Sequence, residues 1–286
     1  MRKLWIVAGI ALVLVGVAGI ASYGWRTGGD LEPVKKTWSF DAQSLERLQI
    51  KSDYSVDIAF VRSTDGTSSI ALEGEGTERM VAETLATEIA GGALELDLRK
   101  KPQRWFHFFD FDSFHAKEKL TITVADGIRW DALRLSMDSG NFSLKNAAFI
   151  ALGETTVDID SGNVTIDNYK ADRLDVDIDS GNVTGNGVTA AVKVDADSGS
   201  IRLNDLSGPS EIEVDSGNIR LYKLTGDDAT IEADSGNVYV QVPTGFGGFY
   251  DVKVDSGKTN YPESKRTTTE YIKVRTDSGN VTIEEK

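Results

Sequence analysis

The tripeptide Asp-Ser-Gly occurs eight times between residues 138 and 279 of this 286-residue chain, at Asp138, Asp160, Asp179, Asp197, Asp215, Asp234, Asp255 and Asp277. The intervals are 22, 19, 18, 18, 19, 21 and 22 residues. A period of that size, held over eight copies, marks an architecture built by stacking one supersecondary unit on the next. Six copies continue with Asn, while Ser200 and Lys258 stand in its place in the other two.

Short alternating segments flank each copy. Val157-Asp158-Ile159 leads into Asp160 and Val164-Thr165-Ile166 leads out; Ile212-Glu213-Val214 and Ile219-Arg220-Leu221 bracket Asp215 in the same way. Period-two alternation with β-branched residues predicts half-buried strands, and the four residues between them a corner. Glycine there is expected to supply a positive φ and Asn to tolerate the same region. The Asp carboxylate is expected to accept a backbone N–H two residues on, closing an Asx turn. One such unit cannot bury its apolar face alone, whereas stacked units can. The predicted fold is all-β: a single-stranded β-solenoid over residues 131–286, with about eight rungs of 18–22 residues rising about 4.8 Å each.

Residues 38–130 read as an N-terminal β-rich cap. Ser69–Glu73, Ala93–Arg99 and Lys119–Val124 alternate as strands, and Thr77 to Leu85 has helical spacing with a threonine placed to cap it. Lys51-Ser52-Asp53-Tyr54-Ser55-Val56 looks like a decayed copy of the corner.

At the N-terminus, Arg2 and Lys3 precede an uncharged run from Leu4 to Ser22, with Trp5 near one end and Tyr23 and Trp25 at the other. Nineteen helical residues span roughly 28 Å, close to a bilayer's hydrocarbon thickness. The expectation is a membrane anchor over 1–25, its rival reading a cleaved signal peptide, followed by a linker over 26–37. The membrane is thus the expected partner through Leu4 to Ser22, with the C-terminal domain extracellular.

The anchor, the mixed region after it and the Asp-Ser-Gly-Asn corners together resemble the bacterial putative-adhesin family of envelope β-solenoids, and within it the LiaG-like proteins. The resemblance spans about residues 38–286. It implies a bacterial surface protein anchored in the membrane and tied to cell-envelope stress, with no family catalytic residues to carry over.

Composition narrows the chemistry. The chain has no cysteine, which excludes disulfides, thiol catalysis and cysteine zinc sites. A net charge of −14 argues against a nucleic-acid partner. From Asp138 onward 26 acidic residues face 14 basic ones. Two positions before the corner aspartates stand Ser136, Asp158, Asp177, Asp195, Glu213, Glu232, Lys253 and Arg275, so five consecutive rungs carry a second carboxylate. Such columns form a solvated acidic face or, alternatively, a calcium site. No motif for a phosphate loop, a nucleophile elbow or a zinc helix appears, and neither a cofactor nor a metal is expected.

Trp105, Phe106, Phe108, Phe109, Phe111 and Phe114, interleaved with His107 and His115, form the one dense aromatic stretch; as a strand or hairpin over the solenoid's open end they would be core, and as an exposed loop they are the candidate partner contact. The Gly245-Phe246-Gly247-Gly248-Phe249-Tyr250 insertion reads as a loop between rungs. The function expected is a non-catalytic surface scaffold or binding module for an unknown envelope protein or polymer. A polysaccharide-acting enzyme and a calcium-stabilised module are the alternatives.

Overall fold

Apolar–polar alternation sets the strands, and their register shows how the repeat stacks. In the computed structural model, which describes residues 31–42, 44–99 and 117–286, the strands join one open, many-stranded, solenoid-like sheet.

The N-terminal end is a small antiparallel and helical cover. Strand β1 (Glu32–Phe40) begins inside the stretch assigned to the linker. The reason is that Val34, Trp38 and Phe40 bury one face of it. Strands β2 (Arg47–Ser52) and β3 (Ser55–Arg62) make the first strand–corner–strand unit. Strand β4 (Ser68–Gly76) pairs antiparallel with β1 and leads into helix α1 (Glu78–Ala86). Thr77 caps that helix, its Oγ1 accepting the Met80 N–H at 3.4 Å. At the other end, the Leu85 carbonyl accepts from Lys36 Nζ at 2.8 Å and the Thr87 carbonyl from Trp38 Nε1 at 2.8 Å. A cation and an indole from β1 thereby satisfy carbonyls that a helix C-terminus leaves open.

Strands β5 (Ala93–Asp97) and β6 (Lys117–Val124) form a second unit. It lies outside the first. β2 and β3 sit between this unit and the next strand, β7 (Arg129–Lys145), parallel to both. Ser52 aligns with Met137 and Val56 with Phe142, so the corner at Asp53 is one residue shorter than the corner at Asp138. Stacking therefore starts within the segment set apart in sequence as a cap. β4 pairs antiparallel with β6 and completes the cover. Trp130 is buried at its centre, with the Phe40 and Phe60 rings 5.8 and 5.7 Å away.

From β7 onward the repeat stacks in register. Strand β8 (Ala151–Leu206) is one extended run of 56 residues that passes through three Asp-Ser-Gly corners. Leu135 lies beside Val157, Met137 beside Ile159, Phe142 beside Val164 and Leu144 beside Ile166. Strand β9 (Ser210–Lys223) continues the columns, Val194 beside Ile212 and Ile201 beside Ile219. All of these side chains are buried, each contributing about 1.5–3 kcal/mol relative to exposure. Neighbouring rungs supply much of that cover, which is why the unit needs its stack.

The stack abandons chain order at its C-terminal end. Strands β10 (Ala229–Ser235) and β11 (Val238–Val242) follow β9, and then β12 (Phe249–Ser256) and β13 (Thr259–Asn260) skip a place. The last strands, β14 (Tyr271–Ser278) and β15 (Val281–Glu285), return to fill it, parallel to their neighbours on both sides. The Asp277 rung thus lies between the rungs of Asp234 and Asp255. Phe246 and Tyr250 are buried with their rings 5.4 Å apart, so the glycine–aromatic insertion read as a loop helps to close this end.

The corners differ from expectation in mechanism. Corner glycines such as Gly162 (φ 153°) and Gly181 (φ 144°) do take positive φ, but Gly217 does not. The corner asparagines do not either. The left-handed non-glycine residues within the stack are Asn146, Asn168 and Asp205, at the opposite bend of the rung. Among the described residues no corner aspartate accepts the N–H two residues on, and all eight are exposed. The corner is held by stacked glycine backbones and by asparagine amides.

Among the described residues no helix is long and apolar enough to cross a membrane; the expected span from Leu4 to Ser22 lies outside them.

Candidate binding edge

The corners bring one edge of the stack to the surface, with two outward faces meeting there. Along the edge runs an amide ladder. Asn163 Nδ2 donates to Asn141 Oδ1 at 2.8 Å, and Asn182 Nδ2 to Asn163 Oδ1 at 2.9 Å. Further on, Asn237 Nδ2 donates to Asn218 Oδ1 at 3.1 Å and Asn280 Nδ2 to Asn237 Oδ1 at 2.9 Å. An amide can both give and take, so identical residues at a rung spacing of about 4.8 Å link into two runs, Asn141 to Asn182 and Asn218 to Asn280. A second ladder runs behind it, Asn204 Nδ2 to Asn186 Oδ1 at 2.7 Å and Asn186 Nδ2 to Asp167 Oδ1 at 2.6 Å.

The leading strands carry the acidic column. Register puts Ser136 beside Asp158, Asp195 beside Glu213, Glu213 beside Glu232, Glu232 beside Arg275 and Arg275 beside Lys253. Asp177 lies at the acidic centre. Partial burial, then the charges of Asp195 and Asp158 and the corner carboxylates Asp179 and Asp197, push its carboxyl above the usual range. Towards the C-terminal end the column is neutralised: Lys273 Nζ lies 3.3 Å from Glu232 Oε1, and Arg275 pairs with Asp251. Among the described residues, no group of three or more His, Asp or Glu side chains is arranged to hold a metal ion. The carboxylates stand one per rung along a line rather than converging on a point.

Trp105, Phe106, Phe108, Phe109, Phe111 and Phe114, with both histidines, lie outside the described residues. Their flanks are described. Asp97 pairs with Lys51 and Lys117 with Ser55, so β5 ends and β6 begins on the two sides of the corner at Asp53. Arg99 is held beside this junction by Asp97, with Nη2–Oδ2 at 2.6 Å.

One polar group was not foreseen from the sequence. Lys223 is only 4% exposed. Its Nζ donates to the carbonyls of Gly208 at 2.9 Å and Asp228 at 3.3 Å. Burial lowers its pKa to about 8, against the pull of Asp227 and Asp228. The Asp227 carboxyl is held below its usual range by Thr225, and also accepts the Gly208 N–H at 2.9 Å. Lysine two residues after a buried leucine gave no signal, because its burial depends on the loop that folds over it.

A family model described as Toastrack DUF4097 matches residues 45–284. No curated protein matches the chain in sequence. Among solved structures, a "putative adhesin" of Bacteroides fragilis is similar at 14% identity, with a TM-score of 0.47, covering 90% of this chain and 99% of that one. Another "putative adhesin", of Parabacteroides distasonis, is 17% identical with a TM-score of 0.41, covering 90% and 98%. A "putative lipid binding protein" of Parabacteroides distasonis is 12% identical with a TM-score of 0.22, covering 88% and 97%.

Proposed function

The chain belongs to the Toastrack DUF4097 family, and from that premise we propose that it is a non-catalytic, LiaG-like module of the bacterial surface. In this reading Leu4 to Ser22 anchor it in the membrane and the solenoid-like body is displayed outside, where its corner edge engages an envelope polymer or protein. The observation that carries the reading is the repetition of surface chemistry. Asn141, Asn163 and Asn182 on one line, and Asp158, Asp177 and Asp195 beside it, recur rung after rung. A periodic edge suits a periodic or extended partner, whereas hydrolysis of a glycan needs a local pair of carboxylates set apart from the repeat.

The test uses the full chain. Cells producing it are fractionated and treated, while intact, with protease; solubilised protein is sedimented with purified cell envelopes and assayed for release of sugars. The expected result is recovery in the membrane fraction, loss to external protease, co-sedimentation and no turnover. Recovery in the soluble fraction removes the anchor, and sugar release replaces the module with an enzyme.

A further inference from the structure

The amide ladder has one internal gap. Of the two corners without asparagine, Lys258 lies on the terminal rung of the stack, where its backbone N–H donates to Asn280 Oδ1 at 3.1 Å. Ser200 lies in the middle, aligned with Asn218. Its side chain is too short to bridge. Among the described residues Asn182 Oδ1 therefore receives no donor from the next rung and Asn218 Nδ2 has no acceptor, so the ladder stops on one side and restarts on the other.

The gap opens a notch of about 240 Å³ lined by Asn182, Thr184, Ser200, Arg202, Asn218 and Arg220. Arg202 and Arg220 are aligned on adjacent rungs, about 4.8 Å apart by strand spacing. Neither forms an ion pair among the described residues, although Arg173, Lys193, Lys273 and Arg275 all pair with acids elsewhere on the stack. Arg202 is steadied by Asn204, Nε to Oδ1 at 3.1 Å, and lies 5.1 Å over the Tyr222 ring. Tyr239 stands beside Arg220, and its ring is 5.5 Å from that of Tyr222.

Two like charges in register are unfavourable unless an anion bridges them, and paired guanidinium groups match an oxyanion. The open Asn182 Oδ1 and Asn218 Nδ2 and the hydroxyls of Thr184 and Ser200 suit the hydroxyl groups of a sugar, and the adjoining tyrosine pair offers an amphipathic flank. We propose that this notch binds the oxyanion of an acidic sugar, a carboxylate or a phosphate carried on a hydroxylated ring. The site deepens the binding-module reading and rests on it. It also answers a problem of charge: a chain with a net charge of −14 needs a local cationic site to hold an acidic ligand.

The experiment is calorimetric titration of the detergent-solubilised full chain with tetragalacturonic acid, with glucose 1-phosphate and with neutral maltotetraose. Binding of either acidic probe, no binding of maltotetraose and weakening at high salt are expected, and the preferred probe identifies the oxyanion. R202Q and R220Q should each weaken binding at least tenfold. S200N should abolish it by completing the ladder across the notch, while the melting temperature is kept or raised. Failure of both acidic probes to bind overturns the proposal, as does binding that S200N and R220Q leave unchanged. A chain that still co-sediments with envelopes but ignores both probes retains the module reading and loses the notch.

Discussion

A Cβ placed on Gly217 would lie 1.6 Å from the carbonyl oxygen of Gly199 on the neighbouring rung. The same relation links Gly162 to Gly140 at 1.6 Å, Gly181 to Gly162 at 1.6 Å and Gly236 to Gly217 at 1.5 Å. The corner requires glycine because its backbones stack in contact, and Gly217 shows this most clearly, since its φ lies outside the positive region that would itself demand glycine.

Gly217→Ala should therefore destabilise the protein by about 3 kcal/mol, the upper range for forced overpacking. Gly127, at φ 84° with nothing within 4 Å of its Cβ position, provides the contrast. Gly127→Ala should cost about 1 kcal/mol, from backbone strain alone. Urea unfolding of both variants checks this; equal losses would return the corner to a dihedral explanation.

The amide ladder yields a pair of opposite outcomes. Asn163 donates to Asn141 and accepts from Asn182, so Asn163→Ala removes two exposed side-chain bonds and should cost about 1 kcal/mol. Ser200→Asn joins the two halves of the ladder and should stabilise by a similar amount. Melting temperatures of the two variants should move in opposite directions, and a loss in both would mean that the gap is a packing requirement.

The stacked core was readable from sequence because alternation around Asp160 or Asp215 is local, and so is the Thr77 cap. What escaped involves distant partners. Nothing local to Tyr271 says that β14 inserts beside Ala229 rather than beyond Phe249. The positive φ expected of the corner glycines holds at all of them but Gly217, yet it is only part of the reason for glycine, since a φ argument sees one rung while the contact of Gly217 with Gly199 needs two. The substitution at Ser200 was visible as a letter. Its meaning as a notch beside Arg202 and Arg220 appeared only when the rungs were set in register.

Asp177 gives a charge prediction. Its carboxyl is held above the ordinary range by partial burial and by four neighbouring carboxylates. A raised folded-state pKa means that the folded protein binds the proton more readily. Stability from this group is therefore greatest in acid and is lost as pH rises through its folded pKa. Asp177→Asn should stabilise the protein at pH 7 by about 0.5 kcal/mol, a surface-scale effect. The gain should shrink with added salt and vanish near pH 3. A gain that is the same at both pH values would assign it to packing.

Lys223 makes the sharpest pH prediction because its burial and its charge oppose each other. The ammonium is enclosed beneath residues 208 and 228, held by two carbonyls, and its pKa falls from 10.5 to about 8. Between these values the unfolded chain keeps a proton that the folded chain has released. The unfolded state binds more protons there, so stability contributed by this group rises with pH from about 8 towards 10.5 and is lowest below pH 8. At 1.36 kcal/mol per unit, the full window amounts to about 3 kcal/mol. Burial holds the Tyr169 and Tyr250 hydroxyls above their ordinary value, which opposes the trend once pH exceeds about 10. Comparison with Lys223→Met cancels that contribution. The variant loses the bonds to Gly208 and Asp228, so it should be less stable than the parent at pH 10. The difference should narrow or reverse at pH 7, where the parent must keep a charge buried. Unfolding free energies at half-unit steps from pH 7 to 10 supply the check. A difference that stays constant across that range would show that Lys223 holds its proton in the folded protein as in the unfolded chain, its charge reaching solvent.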